Sequence, residues 1–271
     1  MPVSVLLCEG GDNSPDVRLL GVILRGTGVL IEPSGGKDGL PNLVRGRRRQ
    51  DHHVCGLADG DFPRKPEAWT PPADAAPRAW IVQESMLGWM WRRKEVENYF
   101  IDPDVLQRAL GWDAPKKTEY VARLSALLDA LGHATAARIA LTACAPRKAR
   151  LDTAVPLDTT KHQLEGHLRG RAQDYNDGAR LDEVKLIDAF ERHVPDCLPG
   201  GRFRSRALDV FAGKDVFARM QNTAGFPPEL KSKPRLEESV LDALARDAAP
   251  HDWLPEWAAL RSAVEGWSPA D

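Results

Sequence analysis

The sequence predicts an α/β N-terminal part built on a mostly parallel sheet, followed by an all-helical part. Two observations carry the first half. Short apolar, β-branched runs alternate with helical stretches up to Trp112, and those runs end in glycine or acidic residues. The third observation is a change of texture after Trp112, where long Ala/Leu-rich segments of helical period take over. A boundary near residue 112 is therefore expected, dividing 1–112 from 113–271.

The first run, Val3 to Cys8, is stopped by Glu9-Gly10-Gly11 and reads as a buried strand opening into a loop. Ser14-Pro15-Asp16 follows with the signature of a helix start: a capping hydroxyl, a proline suited to the first turn and a carboxylate that complements the dipole. Gly28 to Glu32 is the second strand, and a helix over Leu40 to Arg49 the next element. His52 to Ala58 is the third strand, closed by Asp59-Gly60-Asp61. The Pro- and Ala-rich stretch 62–77 reads as an extended flap, and Trp80 to Val82 and Leu87 to Trp91 as further strands. Asp102-Pro103-Asp104 starts a helix to Leu110. Helices are expected beyond it over Thr118–Leu131, Ala134–Ala143, Leu181–His193, Ser205–Gln221 and Glu237–Ala248.

Composition narrows the function classes. Of 271 residues, 37 are Lys or Arg and 39 Asp or Glu, so the net charge of −2 gives no whole-chain attraction to nucleic acid; only a local basic stripe would serve. Four cysteines lie far apart, without paired spacing, and read as reduced thiols rather than a zinc cage. No run approaches the ~18 apolar residues of a membrane span, and the N-terminus lacks the basic start of a leader, so a cytoplasmic location is expected.

The carboxylates carry the chemistry. Glu9 follows strand one, Asp59 and Asp61 follow strand three, and Glu97 follows the last strand, the edge where parallel sheets place their sites. In an extended D-x-D both side chains point to one face, so Asp59 and Asp61 can share an ion. Hard oxygen ligands suit Mg²⁺ or Mn²⁺, and one or two such ions can stabilise the attacking and leaving oxygens of phosphodiester cleavage. Glu95, two residues before Glu97 on the same expected strand face, competes with it as the late ligand. Arg92, Arg93 and Lys94 flank this site and are the candidate nucleic-acid contacts; the other basic clusters, 45–49, 147–150 and 202–206, read as solvated faces. Trp69, Trp89 and Trp91 are stacking candidates, the last two also candidates for packing. His162 and His167, five apart, miss the register for a shared metal.

Three segments, C-E-G-G-D-N-S-P-D (8–16), G-L-A-D-G-D-F (56–62) and R-R-K-E-V-E-N-Y-F-I-D-P (92–103), together resemble the Toprim domain. The variety is that of overcoming-lysogenization-defect nucleases and of the standalone Toprim effectors that partner an ABC-type ATPase in PARIS-like anti-phage defence. The likeness spans about residues 3–105; Gly213-Lys214-Asp215 also resembles a short helical-domain element of such effectors. It implies a Rossmann-like Toprim domain over 1–112 and a helical dimerisation or partner-binding domain over 113–271. It further implies a Mg²⁺-dependent endonuclease acting on RNA or DNA, with tRNA a target by analogy, silent until infection and toxic thereafter. Glu9 would bind metal or transfer a proton, Asp59 and Asp61 would be metal ligands, and Glu97 would complete a second metal site. Gly35-Gly36-Lys37 resembles the family's G-G-K, placing Lys37 on phosphate charge. The aspartate usually three residues after E-G is displaced here, leaving Asp12 and Asp16 as alternatives. A homodimer and an ATPase regulator are the implied partners. The competing reading is a catalytically silent Toprim module that binds and regulates the ATPase.

Overall fold

The computed structural model describes residues 2–36, 39–60, 66, 75–145, 153–173 and 181–269. Lys37, Asp61 and Trp69, all singled out above, lie outside the described residues.

The described chain is α/β. Five strands, β1 (Val5–Cys8), β2 (Leu30–Pro33), β3 (Val54–Ala58), β4 (Arg78–Val82) and β5 (Ser85–Met90), form one sheet in the order β2-β1-β3-β5-β4. β2, β1, β3 and β5 run parallel, and β4 closes one edge as the antiparallel partner of β5. The crossovers from β1 to β2 and from β2 to β3 run through α1 (Pro15–Ile23) and α2 (Leu40–Arg48). Parallel neighbours need such crossovers, which is why strand and helix patterns alternate in the sequence. Because the chain leaves β1 toward β2 while β3 lies on β1's other side, the crevice between the carboxyl ends of β1 and β3 is a switch point.

Side-chain alternation sorts the core. Val5 and Leu7 of β1 join Leu40, Val44, Val54, Ala58, Leu87 and Trp80 on the α2 side. Leu6 and Cys8 point to the opposite side and are equally buried, and α1, with Leu19, Leu20 and Ile23 buried, packs against β2 and the helix over Lys233–Arg246.

The helices are α3 (Glu97–Phe100), α4 (Pro103–Leu110), α5 (Ala114–Cys144), α6 (Lys161–Gln173), α7 (Glu183–Cys197), α8 (Ala207–Val210), α9 (Gly213–Asn222), α10 (Lys233–Arg246) and α11 (Pro255–Glu265). Both expected caps are present: Ser14 Oγ accepts from the Val17 amide, and the Asp102 carboxylate accepts from the amides of Asp104 and Val105. The two helices expected over 118–143 are one, since Gly132 continues the helix rather than breaking it. The helix expected over 205–221 is interrupted at Phe211 and Ala212, whose extended backbones separate α8 from α9.

The chain divides into two compact units. One comprises the described residues of Met1–Gly60, Pro72–Thr118 and Pro227–Asp271; the other includes Glu119–Phe226. The division differs from the expected 113–271 helical domain, because the last forty-odd residues return to the sheet. The Val3 amide donates to Val264 O (3.0 Å), Arg18 pairs with Glu238 (2.7 Å), and the Arg92 amide donates to Glu256 (2.6 Å). α10 packs on α1 and α4. Helical period shows that a segment is a helix but not which apolar surface its stripe covers.

The second unit is helical. Its buried residues include Leu127, Leu131, Leu164, Leu168, Phe190, Phe203, Phe211 and Phe217. Asp215 of the Gly213-Lys214-Asp215 motif pairs there with Arg138 at 3.0 Å. Among the described residues no helix is long and apolar enough to cross a membrane.

Candidate carboxylate site

The site is assembled at the switch point of the sheet. Glu9 leaves the end of β1, and the chain then turns through Gly10 at φ +98°, where Gly10 and Gly35 exchange backbone hydrogen bonds (3.1 and 3.0 Å). A Cβ on Gly10 would come within 2.4 Å of Ser14 Oγ, so both the left-handed turn and the capping serine exclude a side chain there. This turn sets Asp16 in the first turn of α1, where the helix dipole favours its charge.

Asp59 leaves the end of β3. Its amide donates to Glu9 Oε1 at 3.2 Å, tying the ends of the two strands through one of the carboxylates. Gly60 then passes so close to the next loop that a Cβ would lie 2.1 Å from Arg93 O and 2.6 Å from Trp91 O. That contact draws residues 91–97 over the site. Trp91 Nε1 donates to Asp16 Oδ1 at 3.4 Å, and Glu97, only 5% exposed, opens α3.

Asp16 interacts electrostatically with Glu9, Asp59 and Glu97, and Asp59 with Glu9 and Asp16. Burial, with Glu97 and Glu9 adding repulsion, pushes the Asp16 carboxyl up to about 7, against the Trp91 hydrogen bond. Burial, then Asp16 and Glu9, push Asp59 up to about 8, with Lys94 acting in the other direction and Glu95 adding to the rise. The Cys8 thiol beneath them is raised to about 12, by burial first and then by Asp16, Glu9 and Asp59. Asp59 Oδ1 is buried without a hydrogen-bond partner among the described residues. An orphaned carboxylate oxygen amid like charges is costly unless a proton or a cation accompanies it.

Neither a protein-family model nor a curated protein matches this chain.

Of the alternatives left open by the sequence, Asp16 rather than Asp12 interacts with the other carboxylates; Asp12 is exposed in the preceding turn. Glu95 and Glu97 do not share a strand face, since β5 ends at Met90 and both lie in or after the following turn. Glu95 stands near Lys94 (3.7 Å) and acts on Asp59, whereas Glu97 acts on Asp16 and pairs with Lys233 at 2.8 Å. Lys233 is the group that sequence reading did not find. Its one signal is a lysine at the N-terminal end of α10, where the dipole disfavours a cation, so partners of opposite sign are required.

The basic triplet is not a solvated patch. Arg92 is 8% exposed and Lys94 7%. Arg93 bonds Asp102 (2.6 Å) and Asn98 O (2.7 Å) and lies over the Tyr99 ring at 4.6 Å. Arg92 acts on Glu256, so the two arginines face structural carboxylates, and Lys94 is the member that faces the site. Trp89 and Trp91 are buried, Trp89 against Trp267 and Trp91 against Tyr99, which assigns both to packing rather than base stacking.

Among the described residues no three His, Cys, Asp or Glu side chains form a ready metal cage. The chemistry of Glu9, Asp16 and Asp59 nevertheless fits a hard divalent ion: carboxylate oxygens, one of them unpartnered among the described residues, in a cluster short of positive charge. Glu97 fits less well, because its charge is already answered by Lys233.

Proposed function

We propose that this chain is a divalent-metal-dependent phosphodiesterase of Toprim type, cleaving RNA or DNA. One observation carries the reading: at the carboxyl ends of β1 and β3, Glu9, Asp16 and Asp59 are gathered, with Asp59 Oδ1 unpartnered among the described residues and two of the three carboxyls raised toward neutrality. Structural carboxylates are paired; a cluster this poorly compensated stores repulsion that a cation would relieve.

Glu9, Asp16 and Asp59 would hold Mg²⁺ or Mn²⁺, which when bound supplies Lewis-acid charge for a phosphate oxygen. Glu9 also orients the turn after β3 through the Asp59 amide, keeping the two strand ends in register. Lys94, buried beside the cluster and acting on Asp59, would add positive charge for a phosphate held there. Lys37 and Asp61 belong to the proposal through the family resemblance. So do the anti-phage role, the tRNA target, the homodimer and the ABC-type ATPase regulator; a cytoplasmic location belongs to it through the sequence pattern of the chain.

The silent-module reading is favoured by one observation, the Lys233–Glu97 pair, which neutralises a carboxylate that a two-ion nuclease would use. Purified protein, with and without Glu9→Gln, incubated with labelled RNA and DNA in Mn²⁺ or Mg²⁺, separates the two. Cleavage lost in the variant supports the enzyme. No cleavage by wild type, free or released from a partner, with toxicity unchanged by Glu9→Gln in cells, supports the module.

A further inference from the structure

We propose that Lys233 takes the place of a second divalent ion, answering the charge of Glu97 so that the site accepts a single metal ion. The inference deepens the phosphodiesterase reading and rests on it. Family likeness would give Glu97 to a second ion; the packing of the chain gives it to an ammonium instead.

Three observations converge. Lys233 Nζ lies 2.8 Å from Glu97 Oε1, and Glu97 is almost fully buried, so its negative charge has been withdrawn from water and requires a counter-charge nearby. Lys233 is also 3.6 Å from Glu237 one turn further along α10, so two carboxylates hold the ammonium where the helix dipole opposes it. Finally, the loop that leads into Glu97 also carries Trp91, whose Nε1 donates to Asp16 Oδ1 at 3.4 Å, so the ammonium pairs with a residue of the same loop that borders the Glu9–Asp16–Asp59 cluster. A dication brought to Glu97 would have to break this pair and leave a partly buried ammonium facing a like charge. A dication at Glu9 and Asp59 breaks no ion pair of this kind, since Asp59 Oδ1 lacks a hydrogen-bond partner among the described residues. Lys233 comes from the segment after residue 226 that returns to the sheet, so the C-terminal helices complete the charge balance of a site otherwise built from residues 9–97.

The test counts ions. Full-length protein is titrated with Mn²⁺ by calorimetry, and free Mn²⁺ is followed independently by electron paramagnetic resonance. Wild type and Lys233→Arg should bind one ion, and Lys233→Met two. Glu97→Gln should keep the wild-type isotherm, whereas Glu9→Gln should weaken the single site by roughly 10–100-fold. Two ions in wild type, one ion in folded Lys233→Met, or weakened binding in Glu97→Gln would overturn the role given to Lys233 while leaving a metal site standing. No ion in wild type would remove the metal reading and this inference together. Should Lys233→Met fail to fold by circular dichroism, Lys233→Arg and Glu97→Gln decide the question by the same criteria.

Discussion

Two groups of buried charges lie within the same unit, and they are treated in opposite ways. Around Arg93 every charge is answered: the guanidinium bonds Asp102 and Asn98 O and stacks on Tyr99. Burial works against the Arg93 charge more than any single partner favours it, but Asp102, Tyr99 and Glu256 together outweigh it and hold the group above its ordinary value. Around Asp59 the reverse holds. Burial and neighbouring carboxylates raise Asp16 and Asp59, and Asp59 Oδ1 bonds nothing among the described residues. The first group has the balance of a structural pair, the second the imbalance of a site that expects a cation. Gly60 connects them, since its close approach to Arg93 O and Trp91 O brings the paired loop over the unpaired cluster.

The contrast can be broken most severely at the paired group. Asp102→Ala leaves a buried guanidinium without its carboxylate and uncaps α4, and should cost about 3–5 kcal/mol. At about 2–4 °C per kcal/mol for a chain of this size, the melting temperature should fall by roughly 6–20 °C; a loss under about 2 °C would show that Arg93 does not depend on the pair. Glu9→Gln should do the opposite, abolishing cleavage by about 100-fold or more with little change in melting temperature. Equal losses of both would make Glu9 structural. Gly60→Ala comes next: a methyl 2.1 Å from Arg93 O forces the two loops apart. The expected cost is about 1–3 kcal/mol, read by urea denaturation, with metal affinity falling in parallel.

The smallest effect is in pH. Asp16 and Asp59 have folded-state values near 7 and 8 against an ordinary value of 3.8, so between about pH 4 and pH 8 the native state holds protons that the unfolded chain has released. Their contribution to stability is complete below about pH 4 and is lost as pH rises through about 8. Asp59→Asn should flatten this slope, and at pH 8 should raise the melting temperature by about 2–4 °C. Mg²⁺ should flatten the wild-type slope in the same way. A slope unaffected by either change would show that the cluster is already compensated.

Much of the fold was legible because strands and crossovers leave local marks. β1, β2 and β3 announce themselves as short apolar runs with acidic or glycine ends, and the caps Ser14 and Asp102 act within three residues of their own positions. Glu9 and Asp59 were legible as residues at the ends of strands, since a parallel sheet places such ends along one edge, whereas Glu97 opens α3 beyond the turn that follows β5. The roles of Arg92 and Arg93 were not legible, because a run of cations reads alike whether it meets solvent or carboxylates; the charge of Glu256, more than 150 residues away, decides that for Arg92. Lys233 was hidden for the same reason, its partner Glu97 being 136 residues distant.

The sequence by itself determined the alternation of strands and helices, the acidic ends of β1 and β3, and the capping positions Ser14 and Asp102. These follow from backbone sterics and hydrogen bonding within a few residues. Tertiary structure alone decided that the helices after residue 226 return to the sheet, that Asp16 rather than Asp12 joins Glu9 and Asp59, and which charges are neutralised. The energy of a buried charge depends on what stands within a few ångströms of it, and packing, not sequence separation, sets that distance.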